Sequence, residues 1–114
     1  MNVIPTDFEL LEFFECEPDK EALFEGVFLY KKIDTQGLVL DFSFHKIQGS
    51  VQINLSIGDA VIVSVCQEGA EELKIQRDAS GQYILCNFKF DGAKSKVQIF
   101  VEPEIKVNWS TLIA

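Results

Sequence analysis

The sequence is poor in the residues that carry chemistry in most small enzymes and metal sites. Its 114 residues include one histidine, three cysteines, one methionine and one tryptophan. Cys16, Cys66 and Cys86 are odd in number and form no CxxC pair, which favours reduced thiols in a reducing compartment over a disulfide framework. The single histidine and the three cysteines are too few for a typical metal site, and their spacings match no metal-binding motif. We therefore expect no metal site and no cofactor.

Basic residues are also scarce. Ten lysines and arginines face 18 acidic residues, which gives a net charge of −8. After residue 25 no basic run is longer than Lys31-Lys32. A negative field of this kind repels nucleic acid and anionic membranes, so we expect neither as a partner.

Long apolar runs are missing as well. No stretch approaches the roughly 18 apolar residues that a membrane-spanning helix requires. The first residues have neither the positive region nor the long apolar region of a signal peptide. These features predict a cytoplasmic protein.

No catalytic motif is present. The sequence has no glycine-rich phosphate loop, no HExxH and no EF-hand spacing. Asp41, Ser43 and His45 fall on one face of a predicted strand, but residues two apart on a strand are separated by about 6 to 7 Å. Direct Ser–His contact is therefore awkward, and we expect no catalytic residue and no enzymatic activity.

Alternating apolar and polar residues predict a β structure organised around residues 37–66. In two stretches apolar side chains recur at every second position, which is typical of half-buried antiparallel strands. A run of mostly β-branched residues from Ala60 to Cys66 predicts a third strand. The alternating apolar residues are Leu38, Leu40, Phe42, Phe44, Val51, Ile53, Leu55 and Ile57.

The link between the second and third of these strands predicts their register. Gly58-Asp59 suits a two-residue type II′ hairpin, because glycine supplies the positive φ at its first position. We then expect Ile57 opposite Ala60 and Val51 opposite Cys66. This register places three valines on an otherwise polar face, where they need a cover: Val61, Val63 and Val65.

The remaining sequence extends this pattern into a mainly β fold. Further alternating stretches with short links predict an antiparallel meander of seven or eight strands over about 23–110. Loops are expected over 67–72 and over 91–95. We expect residues 1–114 to form a single domain, folded as a sandwich or partly open barrel.

One short helix precedes the strands. Thr6 and Glu9 have the spacing of a capping box, which predicts a helix over about 7–15. The sequence Glu17-Pro18 ends it, because proline disfavours an α conformation in the residue before it.

The charge is concentrated at the same end of the chain. Residues 1–25, here called the acidic segment, hold eight acids and one lysine, whereas the other 89 residues hold ten acids and nine bases. The first-turn acids suit the helix dipole, but the acids beyond that turn need another explanation. The negative electrostatic field of the acidic segment attracts basic partners.

This layout resembles the small bacterial immunity proteins of polymorphic toxin and contact-dependent growth inhibition systems. The resemblance rests on the helix with Phe13-Phe14, the following Glu17-Pro18, Phe24-Glu25-Gly26 opening a strand, and a meander whose last strand holds Trp109. It implies a non-enzymatic cytoplasmic inhibitor that binds a cognate toxin domain. Many such toxins act on nucleic acid through basic clefts, which carboxylates can fill.

The contact surface that the resemblance and the charge together suggest is acidic, with one aromatic anchor. Two other functions stay open: a small-ligand carrier or sensor with a barrel cavity, and a structural assembly module that packs through the three valines. The predicted partner-binding residues are Glu9, Glu12, Glu15, Glu17, Asp19, Glu21 and Tyr30.

Overall fold

The computed structural model describes residues 1–113 and contains two short helices followed by eight strands. The helices are α1 (Asp7–Phe14) and α2 (Lys20–Leu23). The strands are β1 (Val27–Ile33), β2 (Leu38–His45), β3 (Ser50–Ile57), β4 (Ala60–Gln67), β5 (Ala70–Asp78), β6 (Gly81–Phe90), β7 (Ala93–Phe100) and β8 (Lys106–Ile113).

The strands form two antiparallel sheets of four. The first sheet has the order β1-β2-β3-β4 and the second has the order β5-β6-β7-β8, so pairing follows the sequence within each sheet and is interrupted between β4 and β5. The predicted mainly β meander with one leading helix is confirmed. The two sheets share one buried cluster and form a sandwich, not a closed barrel.

The period-two pattern explains which faces are buried. Phe42 is paired with Tyr30 on one side and with Ile53 on the other, and directly opposite residues share a face. All three side chains are buried. The second sheet contributes its own buried set to the same cluster: Leu73, Ile84, Cys86, Phe88, Val97 and Ile99.

Helix α1 begins at the predicted capping box, which is confirmed. The Glu9 amide donates to Thr6 Oγ1 at 3.1 Å, and the Thr6 amide donates to Glu9 Oε1 at 2.9 Å. The helix buries Leu10, Phe13 and Phe14. Phe14 stacks on Tyr30 with ring centroids 4.5 Å apart, so α1 is fixed to the first sheet by aromatic packing.

Three boundaries differ from the prediction. The strand expected from about residue 23 begins at Val27, because Asp19 caps the additional helix α2 by accepting from the Ala22 amide at 3.0 Å. The loop expected over 67–72 is only Glu68-Gly69, and the loop expected over 91–95 is only Asp91-Gly92.

Gly69 makes the short connection between the two sheets possible. It has φ 84°, and a Cβ there would lie 2.9 Å from the carbonyl oxygen of Lys89. The Lys89 amide donates to the Gly69 carbonyl at 3.0 Å. Only glycine combines this positive φ with such a close backbone approach.

The register predicted for β4 is correct for its first two pairs and wrong beyond them. Ile57 faces Ala60 as expected, and Gly58 has φ 60°, but a bulge at Ile62 shifts the later pairs by one residue. Val63 lies opposite Leu55 and Val65 opposite Ile53. These two valines therefore share the core-facing side, and only Val61 of the three lies on the polar side.

Asp34 joins the two halves of the structure. Its Oδ1 accepts from the amides of Gln36 and Leu38, and its Oδ2 accepts from the amide of Ile105 at 3.1 Å. Desolvation opposes ionisation of the carboxyl group, but these backbone amides stabilise the carboxylate and lower the pKa of Asp34. The β1–β2 turn is thereby connected to the chain that precedes β8.

We predict that Phe14→Ala lowers the free energy of unfolding by about 3 to 5 kcal/mol, because it removes a buried ring and leaves a cavity. Phe8→Ala on the same helix is the control, since Phe8 is 66% exposed, and it is expected to stay within about 0.5 kcal/mol of the original chain. Urea unfolding measures both. Equal effects of the two substitutions would contradict the packing of α1.

We predict that Asp34→Ala lowers the melting temperature at neutral pH. Because the folded-state pKa lies below the ordinary value of 3.8, this stabilisation is present above that value and is lost as the pH falls through the folded-state pKa. The difference in melting temperature between the variant and the original chain should therefore become smaller as the pH is lowered through the acid range, which thermal melts at several pH values measure. The control is Asp91→Ala in the exposed β6–β7 turn. If the difference in melting temperature caused by Asp34→Ala were the same at every pH, the role of the carboxylate would be refuted.

Candidate functional site

A groove of about 920 Å³ runs along the outer face of the first sheet. Its floor consists of side chains from three neighbouring strands, all on the face opposite the core. One wall is the chain between the two helices, from Glu15 to Asp19. The floor residues are Leu29, Lys31, Asp41, Ser43, Gln52 and Asn54.

The wall is held against the free edge of β1. The Asp19 amide donates to the Leu29 carbonyl at 2.9 Å, and the Cys16 thiol donates to the Lys31 carbonyl at 3.6 Å. Lys32 Nζ donates to the Phe14 carbonyl at 3.2 Å and so caps the end of α1. The wall therefore covers an edge that would otherwise be open for pairing.

The structure brings three of the predicted partner-binding residues together in this wall: Glu15, Glu17 and Asp19. The other predicted acids lie nearby in sequence but on the helices. Glu9 and Glu12 belong to α1, and Glu21 belongs to α2. All six side chains are exposed.

The six acids differ in how far the fold already uses them. Glu9 and Asp19 act as helix caps through their carboxylates. Glu15 Oε2 is 4.0 Å from Lys32 Nζ, which also approaches Glu102 at 3.8 Å. Within residues 1–113, the other three acids have no ion pair and no side-chain hydrogen bond: Glu12, Glu17 and Glu21.

The groove floor adds one more carboxylate. Asp41 is half-buried, and its Oδ1 lies 4.0 Å from Lys31 Nζ with no hydrogen-bond partner in the described part of the chain. Beside it the Ser64 hydroxyl donates to Asn54 Oδ1 at 2.7 Å. The floor is therefore polar and of mixed charge, which suits hydrogen-bonding groups of a partner.

Tyr30 differs from the other predicted contact residues because it is only 1% exposed. It lies under Phe14, inside the core. Burial, and after it the negative charge of Asp7, raises the pKa of Tyr30 to about 12, so its hydroxyl group remains protonated at neutral pH. Its part in binding stays a prediction, and in the free chain Tyr30 supports α1 instead of contacting solvent.

His45 is engaged in local structure. Its Nδ1 accepts from the Gln48 amide at 3.1 Å, and its Nε2 would be 2.9 Å from a Cβ on Gly26. The ring thus connects the β2–β3 turn to the turn before β1. This arrangement uses the imidazole as a packing and hydrogen-bonding group.

The sequence reasoning missed one exposed apolar feature and predicted a second one with partly different residues. Phe24 follows α2 and is 93% exposed, whereas the pattern had placed it at the start of a strand. Strand β4 is an edge of the first sheet with exposed Val61, Ile62 and Val63. The groove floor was missed too, although the alternation had marked its residues as the polar face.

Across positions 1–113, no three or more histidine, cysteine, aspartate or glutamate side chains are grouped to hold a metal ion. Neither α1 nor α2 is long and apolar enough to cross a membrane.

Comparison with known proteins gives a structural relative. No protein-family profile matches the sequence, and no curated protein matches it. The fold is similar to a chain of the solved contact-dependent growth inhibition toxin–immunity protein complex from Klebsiella pneumoniae 342, with a TM-score of 0.88 and 29% sequence identity. The similarity covers 97% of each chain. The resemblance to immunity proteins of contact-dependent growth inhibition systems is thereby confirmed.

Proposed function

We propose that this protein is an immunity protein that binds a cognate toxin domain and neutralises it. The observation that carries the proposal is the whole-chain similarity to a chain of a toxin–immunity protein complex. The similarity extends over 97% of both chains at 29% identity, so it concerns nearly the whole fold and not one part of it.

The proposed contact surface is the acidic segment together with the groove. Its exposed carboxylates lie on α1, α2 and the wall between them, and in the part of the chain that the structure describes three of them have neither an ion pair nor a side-chain hydrogen bond. Such groups raise the rate of encounter with a basic partner and select against acidic ones. We therefore propose a toxin domain with a basic surface.

The proposed mode of action is steric: the chain occupies the toxin's surface and catalyses no reaction. The surface offers carboxylates and neutral polar groups, and the single histidine is engaged in a turn. Neutralisation then follows from covering the toxin's working surface. We propose that this occurs in the cytoplasm of the producing cell, where the toxin domain would act.

The function is tested by capture followed by a growth assay. A C-terminal tag leaves intact the 3.2 Å hydrogen bond from the Met1 amino group to the Lys46 carbonyl. The tagged chain is used to isolate partners from its native cells, and each captured domain is then expressed in a host alone and with the chain.

We expect one captured domain to stop growth when expressed alone and to be harmless when the chain is present. If none of the captured domains inhibits growth, or if co-expression leaves the inhibition intact, the proposed function is wrong. A tagged chain carrying Phe14→Ala serves as a folding control, because loss of α1 packing should also lose the protection.

We predict that the triple variant Glu12→Gln, Glu17→Gln and Glu21→Gln slows association with that toxin domain by about tenfold or more at low salt. These three carboxylates stabilise no ion pair in the described chain, so their removal should leave the melting temperature nearly unchanged. Stopped-flow or surface-based binding kinetics measure the association rate.

The matched control removes three exposed acids outside the acidic segment: Glu68→Gln, Glu71→Gln and Asp91→Asn. Both triple variants change the net charge equally, so a difference between them isolates position from total charge. For the original chain the association rate should fall as salt rises, because ions screen exposed charges. Equal rates for the two variants would refute the acidic segment as the contact surface.

A further inference from the structure

Among the large apolar side chains whose exposure the structure describes, Phe24 is the most exposed, at 93%, yet its backbone is fixed. The Phe24 amide donates to the Glu21 carbonyl at 3.2 Å, and the Gly26 amide donates to the Leu23 carbonyl at 3.0 Å. Gly26 has φ 79°, a conformation that favours glycine, and a Cβ there would lie 2.9 Å from His45 Nε2, so a larger residue would require the imidazole ring to shift. The ring is therefore held out into solvent by an ordered turn.

The surroundings of Phe24 differ from those of other exposed apolar residues. Glu21 and Glu25 lie within three residues of it, and the exposed Leu23 adjoins it. Ile47 is equally exposed at 90%, but it lies next to Lys46 and has no acid within four residues. An exposed aromatic ring with a charged border has the composition of an interface centre and its rim.

We propose that Phe24 is the hydrophobic anchor of the toxin contact and that it enters an apolar pocket bordered by lysine or arginine side chains. This inference rests on the proposed function and specifies the partner's surface. The carboxylates of Glu21 and Glu25 pair with the basic border, while the ring displaces water from the pocket. Phe24 thus has the anchor role that the sequence had suggested for the buried Tyr30.

The structure favours a basic protein as the occupant over a second copy of the chain. Two copies meeting at Phe24 would bring Glu21 and Glu25 of one copy near the same acids of the other, and like charges repel at an interface. A toxin pocket with a basic border meets the same surface with opposite charge. The acidic segment, with eight acids and one lysine, strengthens that preference.

The test measures affinity for the toxin domain identified by the growth assay. Phe24→Ala should weaken binding by about tenfold or more, mainly through faster dissociation, with no change in melting temperature. The loss should persist at high salt, unlike the loss caused by the three glutamine substitutions. Phe24→Tyr keeps the ring and should retain most of the affinity, and Ile47→Ala is the exposure-matched control.

Four outcomes would overturn the inference. Binding by Phe24→Ala at the original affinity, with growth still protected, would reject the anchor and leave the proposed function intact. Equal losses for Ile47→Ala and Phe24→Ala would also reject it. A loss for Val61→Ala with none for Phe24→Ala would place the contact at the edge of β4. If the original chain neutralises no toxin domain, the proposed function and the anchor fail together.

Discussion

The stacking of Phe14 on Tyr30 fixes where the acidic residues lie. Helix α1 is only eight residues long, and isolated helices of that length are not stable in water. Its burial against the first sheet therefore maintains it, and the wall that follows is carried to the edge of β1. Without this aromatic contact the carboxylates would belong to a disordered segment, and binding would have to compensate for the entropy of ordering it.

Much of the fold follows from local patterns in the sequence. The capping box of Thr6 and Glu9 and the alternation in β2 and β3 predict their elements because short-range chemistry and one buried face determine them. The register of β4 was not predictable from the same rule. That strand is an exposed edge, so a one-residue bulge at Ile62 costs little buried area. The alternation of apolar and polar residues therefore does not reveal the bulge.

The candidate site was predicted only in part. Exposure of the acids follows from composition and helix periodicity, whereas their position beside the polar face of β2 and β3 depends on how α1 packs. The position of Tyr30 shows the same limit, since an aromatic residue on a strand looks alike in sequence whether a helix covers it or not. Phe24 was hidden because Asp19 begins a second helix where the pattern suggested an extended chain.

The sequential order of the strands has a consequence for how the protein folds. Every hydrogen-bonded strand pair joins neighbours in sequence, through connections as short as two residues, so the contact order is low for an all-β protein. Among two-state proteins, low contact order goes with fast folding, because little loop entropy is lost before contacts form. Fast folding would suit the proposed function, because an immunity protein must be folded before its toxin domain can act.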